Sequence, residues 1–566
     1  MGKYRAVRTL IITTAAITLV AGFALRPVPA TAQAADKDQA PPIYIPQGHP
    51  VYGTLELFRG AGLLADVALD RRPLARHVVA RALQAGIERA RERGLEMLAR
   101  TGEWRLRDFP EALNDDPNAP DPRPGLLGVQ WRNEDISLTG ELSFEIAYDA
   151  RTDLPPDYKK AWIGRSGFEI YGTIGDRVGF AGRYRQSTET RLGSLKEWGF
   201  SPEQMNASHR NDPVDYSYSE SQGNISWNGD YFGFDLRLDA PAWGPSPARN
   251  LLLSGHAPNF GHLLGRIDIG NWLHYSMLAG QLRSAIVDSA RSYIPDDPIP
   301  FRSVERLKYL LAHRIELYPL PRLQIGLMEA VIVGDRFPDM IYFIPTVSLW
   351  EVQHHLDDPD NSMVGIDVNW TFPDGPRLYG AIALDEWEIG STFSDNESHN
   401  WIAFQLGTSW VLPVGEGRCH LWVEATRLLP NIYRHKYRVN DWTHAESGLG
   451  FWSDQNSDIV QGELTCLVLP QLCLSLWGRY ARKGGFVSRD EQYTIPPSEK
   501  FLFGDIRLGS WVGARATYEG SRNWLVTAEI VRAPEALWPH DREGATLPAM
   551  LDREWQYSIR WAYNLF

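Results

Sequence analysis

Long apolar segments are scarce in this sequence. Beyond the N-terminus, no part of the 566-residue chain approaches the roughly 20 consecutive apolar residues that a membrane-spanning helix needs. Mean hydropathy is correspondingly low, at −0.31. Helical membrane spans are therefore excluded, but a membrane β-barrel is not, because half of the side chains in its strands face a polar lumen.

The sequence also contains fewer basic than acidic residues, and few cysteines. The 57 Lys and Arg residues against 70 Asp and Glu leave a formal net charge of −13, which argues against a nucleic-acid partner. Only three cysteines occur. Strand alternation places Cys466 and Cys473 on opposite faces of a wall, so these two are not expected to form a disulfide. We expect all three thiols to have no role in a disulfide framework.

The N-terminus has the pattern of a secretory signal. The basic residues Lys3, Arg5 and Arg8 precede the apolar segment 10–25, and an Ala-Gln-Ala cleavage motif follows. We assign residues 1–34 to a signal peptide that is removed on export. Together with a barrel pattern, such a signal indicates the outer membrane of a Gram-negative cell.

Residues 35–125 carry a helical pattern followed by a proline-rich linker. Apolar side chains recur at intervals of three and four in the second helix of this region, which begins near Arg72-Pro73. These side chains are Leu74, Val78, Val79, Leu83 and Ile87. Arginines occupy most of the opposite face. They could contact a periplasmic export partner, or they could form the solvated face of a domain that caps a barrel.

From Ile136 to the C-terminus the apolar period changes to two. Segments of strand length alternate apolar and polar side chains, as in the run from Phe232 to Leu238. Tight turns such as Asn228-Gly229 alternate with long polar connections such as 428–456. Outer-membrane barrels sort their connections in this way, with short periplasmic turns and long external loops. The pattern predicts an all-β transmembrane barrel of about 18 antiparallel strands over residues 126–566, after a small N-terminal α-helical domain.

The side chains predicted to face the lumen carry both signs of charge. They include Glu145, Arg183, Asp235, Arg515 and Arg560. A hydrated channel lined by these charges and a lumen partly occluded by ion pairs are equally compatible with the pattern. A barrel of this size is wide enough for an aqueous channel, and long loops that fold inward would close it.

Several short motifs, in their order and spacing, support a family resemblance that covers nearly the whole mature chain. They are Pro46-Gln47-Gly48-His49-Pro50, Arg72-Pro73-Leu74, Trp243-Gly244-Pro245, Asp385-Glu386-Trp387 and Tyr433-Arg434-His435. The chain resembles the Wzi family of outer-membrane capsule assembly proteins. This resemblance implies the same barrel with a small periplasmic helical bundle. It further implies a surface lectin that anchors and organises capsular polysaccharide, in contact with outer-membrane lipid and lipopolysaccharide.

A lectin needs aromatic faces for the C–H groups of sugars and planar polar side chains for their hydroxyls, on loops outside the membrane. We predict polysaccharide contacts from six such residues of the external loops: Trp350, His354, Trp387, Tyr433, His435 and Trp442. The connection 428–456 also contains Tyr437 and Arg438. Aromatic side chains of loops can instead pack against one another, which is the commoner arrangement.

Three groups of residues suggest metal binding or catalysis, but none has the neighbouring residues that such a site requires. Adjacent His354 and His355 on an extended segment point to opposite sides and rarely share a metal ion. Asp385 and Glu386 also diverge, whereas glycoside hydrolysis needs two carboxyls across a cleft. Ser254 does not lie in the nucleophile elbow of a serine hydrolase. We therefore predict no enzyme, cofactor or metal site, and the alternative function is a porin or sugar transport channel.

Overall fold

The computed structural model describes most of the chain. The described residues are 41–109, 127–151, 160–191, 208–209, 215–294, 302–373, 375–386, 400–412, 418–485, 500–520, 524–534 and 553–564. The predicted signal peptide, Trp387 and the C-terminal Phe566 lie outside the described residues.

Eighteen antiparallel strands form a closed barrel, which confirms the predicted fold class and strand number. In chain order they are β1 (Ile136–Arg151), β2 (Lys160–Ile174), β3 (Val178–Arg191), β4 (Asp215–Asn228), β5 (Phe232–Asp239), β6 (Phe260–Ile269), β7 (Leu273–Gln281), β8 (Lys308–Leu320), β9 (Leu323–Gly334), β10 (Asn361–Thr371), β11 (Arg377–Glu386), β12 (Trp401–Val411), β13 (Cys419–Leu428), β14 (Ser457–Leu469), β15 (Leu472–Lys483), β16 (Arg507–Glu519), β17 (Trp524–Pro534) and β18 (Arg553–Tyr563). Pairing of β18 with β1 closes the barrel. A short strand, Gly128–Arg132, extends the sheet beside the first residues of β1.

Side chains along each strand alternate between the outer wall and the lumen, as β5 shows. Phe232, Phe234, Leu236 and Leu238 are exposed on the outer wall, whereas the residues between them are buried. The exposed set faces lipid, because a transmembrane barrel presents its apolar band outward. The alternation seen in the sequence therefore corresponds to two different environments on the two sides of one wall.

The connections between strands divide into two classes. Turns such as 229–231 and 270–272 join strands at the end of the barrel that holds the N-terminal helices. Connections at the opposite end are longer and include 240–259, 335–360 and 429–456. Short turns therefore lie on the periplasmic side and long loops outside, as in other outer-membrane barrels.

Three helices precede the barrel: α1 (Val51–Gly60), α2 (Arg76–Glu92) and α3 (Glu96–Leu106). They pack around the fully buried ring of Phe58. Gly86 of α2 approaches this ring so closely that a Cβ atom there would lie 2.2 Å from it, so the contact requires glycine. No helix among the described residues is long and apolar enough to cross a membrane.

The helical domain lies across the periplasmic end of the barrel. Gly60, at the end of α1, lies against His420 and Ser409 of the wall, where an added Cβ would be 2.6 Å from the imidazole. Other contacts reach strands around the barrel: Tyr44 to Asp235, Arg71 to Glu316, Glu56 to Arg377 and Arg105 to Glu519. On the solvent side of the domain, Arg89 pairs with Asp66 at 2.6 Å. The domain thus caps the mouth, as one of the two interpretations of its arginine-rich helix proposed.

One expectation from the sequence is wrong, because two of the three cysteines form a disulfide. Cys419 is the first residue of β13 and lies directly opposite Cys466 of β14 in the antiparallel register. Strand alternation separates Cys466 from Cys473, which is a free thiol, but it does not show which strand pairs with β14. A disulfide at this end of the barrel agrees with the oxidising conditions of the periplasm.

Candidate functional site

One external connection runs into the lumen instead of standing above the barrel. This lumen loop, residues 240–259, joins β5 to β6 and contains two short strands, Ala242–Trp243 and Leu253–Ser254. These strands pair with each other, and the first also pairs with Arg71–Arg72 of the N-terminal domain. A segment from the external side and a segment from the periplasmic side therefore share one small sheet inside the barrel.

The lumen loop brings apolar side chains to an apolar inner wall. Trp243 and the run Leu251–Leu253 are buried in one cluster with inward-facing residues of β8 to β12. On the wall these include Leu310, Ala330, Ile332, Met363 and Ala403. Such packing excludes water, since spaces lined by aliphatic side chains stay dry. Beside these strands the lumen is occluded.

A second external connection, the cap loop of residues 429–456 between β13 and β14, packs on the lumen loop. Trp442 donates a hydrogen bond from Nε1 to the carbonyl oxygen of Leu252 at 2.8 Å. Tyr433 donates from its hydroxyl to the carbonyl oxygen of Leu251 at 2.6 Å. Burial raises the pKa of the Tyr433 phenol above its ordinary value, so the hydroxyl stays protonated and remains a donor. The two bonds fix the cap loop to the segment that fills the lumen.

The structure divides the six residues predicted to bind polysaccharide between two places. Tyr433, His435 and Trp442 are buried in the cap loop, and Trp442 is only 1% exposed. The rings of Trp350 and His354 lie on a short helix against the outer wall, with their centroids 4.0 Å apart and their planes tilted by 47°. Trp387 belongs to the undescribed residues. The first group matches the alternative of loop aromatics packing on one another, and sugar contact by any of the six stays a prediction.

Tyr437 is an exposed aromatic residue in the turn of the cap loop. It is 53% exposed, and Nζ of its neighbour Lys436 lies 5.4 Å from the ring centroid. Arg438, on the other side, is also exposed. The backbone N–H of Tyr437 donates to Nδ1 of His435 at 3.2 Å, which holds this turn on the buried part of the loop. Tyr437 lies in the loop from which its buried neighbours were predicted as contacts, because the residue pattern of a long loop does not show which side chains turn inward.

The polar layer of the lumen lies on the periplasmic side of the apolar cluster and consists of buried ion pairs. Arg314 of β8 binds Asp367 of β10 through two bonds, at 2.6 and 3.1 Å, and binds Glu316 at 3.0 Å. Glu316 also pairs with Arg71 of the N-terminal domain at 2.7 Å. These bonds join β8, β10 and the helical domain into one network.

Ser254 and Asp385, which were considered above as possible catalytic residues, form hydrogen bonds with the backbone of the external loops. Ser254 donates from its hydroxyl to the carbonyl oxygen of Leu449 at 3.0 Å. Asp385 accepts a hydrogen bond from the backbone N–H of Tyr433 at 2.9 Å. Both interactions position the external loops. Across the described ranges, no group of three or more His, Cys, Asp or Glu side chains is arranged to hold a metal ion.

The lumen wall formed by β1, β2 and β14 to β18 is charged and accessible to water. Glu145 pairs with Arg165 at 2.8 Å and with Arg560 at 3.2 Å. The Arg560 side chain is 47% exposed although it points inward. Glu463 of β14 pairs with Arg515 of β16 at 2.7 Å, across β15. The lumen is therefore asymmetric, with a dry apolar side and a hydrated side that carries both signs of charge.

Known structures match this architecture. A solved protein described as Wzi, an outer-membrane protein involved in group 1 capsule assembly in Escherichia coli and a carbohydrate-binding β-barrel, has a TM-score of 0.54 at 12% identity, over 93% of this chain and 100% of that chain. The fold is similar to that of Wzi. The family resemblance drawn from the sequence is thus confirmed at the level of the fold, and the chain is an outer-membrane barrel.

Other comparisons contribute less. Acinetobacter baumannii OccAB4 has a TM-score of 0.40 at 9% identity, over 76% of this chain and 98% of that chain. Pseudomonas aeruginosa OccK5 (OpdH) has a TM-score of 0.38 at 11% identity, over 75% and 97%. Similarity at this level supports no argument about this chain. No protein-family model and no curated protein matches the sequence.

Glu56 of α1 is a carboxylate through which the helical domain binds the wall. Its Oε1 lies 3.1 Å from Arg59 and 2.5 Å from Arg72, and its Oε2 lies 3.4 Å from Arg377 of β11. Burial by itself would raise the pKa of Glu56, but the three guanidinium groups outweigh burial and lower this pKa to about 2.

We expect acid to loosen the helical domain through Glu56. Because its folded pKa lies below the ordinary 4.5, its stabilisation is complete above that pH and is lost as the pH falls through about 2. The loss amounts to about 3 kcal/mol. Hydrogen exchange of the α1 amides across this pH range, corrected for the intrinsic exchange rate, measures it. Glu56→Gln should lack this pH-dependent part, whereas Glu88→Gln, at an exposed position of α2, should retain it. Equal pH dependence in both variants would contradict the role of Glu56.

Proposed function

We propose that this protein is a non-enzymatic, lectin-like protein that anchors and organises capsular polysaccharide at the cell surface. The observation that most supports the proposal is the buried contact between the cap loop and the lumen loop, in which Trp442 is hydrogen-bonded to Leu252. Loops packed in this way present a rigid surface to extracellular polymers. The solved structure with the similar fold is described as carbohydrate binding, which agrees with the proposal.

The exposed turn of the cap loop has groups that suit an acidic polysaccharide. The ring of Tyr437 can cover the C–H face of a sugar, and the cations of Lys436 and Arg438 can pair with acidic substituents. The chain as a whole carries a net charge of −13, so two neighbouring cations at the outer surface attract an anionic polymer to one place. Trp350, His354 and Trp387 belong to the proposal as further contacts.

Replacing Tyr437 by Ala should weaken polysaccharide binding about fivefold to tenfold, as expected for the loss of one aromatic contact worth about 1 kcal/mol. Binding of extracted capsular polysaccharide to the protein in lipid vesicles measures the effect. Tyr293→Ala is the matched control, because Tyr293 is a similarly exposed aromatic residue in a different external connection. Equal affinities of the two variants would remove Tyr437 from the proposed site.

Tyr433, His435 and Trp442 enter the proposal as residues that hold the surface in shape. A Trp442→Ala variant should bind polysaccharide less well because the cap loop loses its packing against the lumen loop.

In cells, loss of the protein should release capsule into the medium. Undiminished capsule on cells that lack the protein, with none shed, would count heavily against the lectin proposal.

The transport alternative has one observation in its favour, which is the hydrated side of the lumen. Inward-pointing Arg560 and Arg515 are both partly exposed there and are paired with Glu145 and Glu463. A water-filled path along this side would conduct small ions. Steady, large open-channel currents from the intact protein would favour transport over the lectin proposal.

A further inference from the structure

The connection between β9 and β10 has an unusual course. This outer arm, residues 335–360, contains a single-turn helix, Met340–Phe343, and helix α4, Leu349–His355. Its side chains pack against outward-facing residues of β8 and β9, so the arm lies against the outer wall.

Burial of the wall beneath the arm shows how closely the two fit. Leu311, Val331 and Val333 point outward, yet their exposed fractions are only 0–1%. On β10, beyond the arm, the outward-facing Ile366 and Val368 are 42% and 40% exposed. The cover is supplied by three side chains of the arm: Tyr342, Leu349 and Val352.

Polar contacts hold the arm against the wall at the level of the middle of β9. Glu329 of β9 points outward from the middle of its strand and accepts hydrogen bonds from the Ser348 hydroxyl at 2.7 Å and the Leu349 N–H at 2.8 Å. Tyr275 lies near the periplasmic end of β7 and donates from its hydroxyl to the carbonyl oxygen of Pro345 at 3.0 Å. The segment around Pro345 is therefore at a level where the neighbouring wall faces lipid.

Between residues 337 and 344 of the arm, the side chains that face away from the wall are mainly apolar, and the exposed Asp339 accepts a hydrogen bond from the N–H of Ile341 at 3.2 Å. Met340 is 78% exposed, and Phe337, Phe343 and Ile344 are exposed as well. The second half is polar, with exposed Glu351, His354, His355, Asp357 and Asp358. This division is typical of an element that lies in a membrane interface, with one side among acyl chains and the other among headgroups.

We propose that the outer arm is a lipid-binding element in which Met340, Phe343 and Ile344 contact the acyl chains of the bilayer. The surface formed by these three side chains is continuous with the lipid-facing wall beside the arm. We therefore expect the hydrocarbon of the bilayer to cover both surfaces. The charged residues of α4 and the turn after it remain at headgroup level, which limits how deep the arm inserts. The inference concerns Met340, Phe343 and Ile344, whereas Trp350 and His354, which the polysaccharide proposal includes, lie on α4 in the polar half of the arm.

Nitroxide labels test the proposal in the full-length barrel reconstituted in phosphatidylcholine vesicles. Labels are attached to Met340→Cys or Phe343→Cys in a Cys473→Ala background, which removes the free thiol and leaves the disulfide. Ile366→Cys provides the lipid-facing control and His355→Cys the control on the polar half of the arm. Collision rates with oxygen, which concentrates in hydrocarbon, are compared with those of a water-soluble nickel chelate. Heat-modifiable electrophoretic mobility shows that each variant is folded.

The expected result is that labels at 340 and 343 behave like the label at 366, with frequent oxygen collisions and few nickel collisions. The label at 355 should show the reverse. Frequent nickel collisions at 340 and 343 would place the arm in water and overturn the proposal. Few collisions with either reagent at both positions would also overturn it, because the arm would then contact protein, such as a second copy of this chain.

Discussion

Removal of the lumen loop should turn a barrel with little conductance into an open channel. Residues 244–258 supply the run Leu251–Leu253, which fills the apolar side of the lumen, and they receive the hydrogen bonds of Trp442 and Tyr433. Without this segment, the cap loop loses the partner on which it packs. An unfilled barrel of this strand number is wide enough for an aqueous channel, so conductance should rise at least about tenfold.

Planar-bilayer recordings measure this effect through the size of single-channel steps. The matched control is a deletion of equal length, residues 288–302, from the external connection between β7 and β8, whose described side chains are largely exposed. That deletion should leave the conductance as it is in the intact protein. Low conductance after removal of residues 244–258 would mean that the helical domain or another segment closes the lumen, and that occlusion does not depend on the lumen loop.

Replacing Arg314 by Met should destabilise the barrel by about 3–5 kcal/mol. Arg314 is fully buried and is the shared partner of Asp367 and Glu316. Its loss leaves two carboxylates inside the lumen with one fewer cation, and the remaining bond from Arg71 to Glu316 does not reach Asp367. Replacing Asp367 by Leu in the same chain should recover part of the lost stability, because the uncompensated charge is removed as well.

Guanidinium unfolding of the reconstituted barrel, followed by electrophoretic mobility, measures this difference. Arg177→Met is the matched control, because Arg177 pairs with Asp230 at 3.4 Å in an exposed periplasmic turn. Exposed pairs of this kind contribute less than about 1 kcal/mol. If the two single variants unfolded at the same denaturant concentration, the buried network would contribute nothing beyond an ordinary surface pair.

The barrel itself was predictable because its signal is local. Along β5, each apolar residue from Phe232 to Leu238 is followed by a residue suited to the lumen, and the pattern repeats strand after strand. Lipid on one side and a polar interior on the other require this period of two. Tight turns such as Asn228-Gly229 marked the periplasmic end for the same local reason.

The candidate site was less predictable because its geometry depends on contacts between distant residues. Trp442 and Tyr437 both looked like loop aromatics, yet one binds the carbonyl of Leu252 and the other is exposed. Trp442 and Leu252 are 190 positions apart in the sequence, and no short sequence pattern indicates that they will form a hydrogen bond. The disulfide was missed in the same way, since Cys419 and Cys466 become neighbours only through the register of β13 and β14.

The sequence by itself determined that this chain forms an outer-membrane barrel with a periplasmic helical domain and long external loops. Alternation, turn chemistry and helical periodicity each act within a few residues, so they are present before the chain folds. Only the tertiary structure decided where the long loops go: one into the lumen, one over it, and one along the outer wall. Their paths depend on which apolar surfaces Leu251, Trp442 and Leu349 meet after the wall has closed.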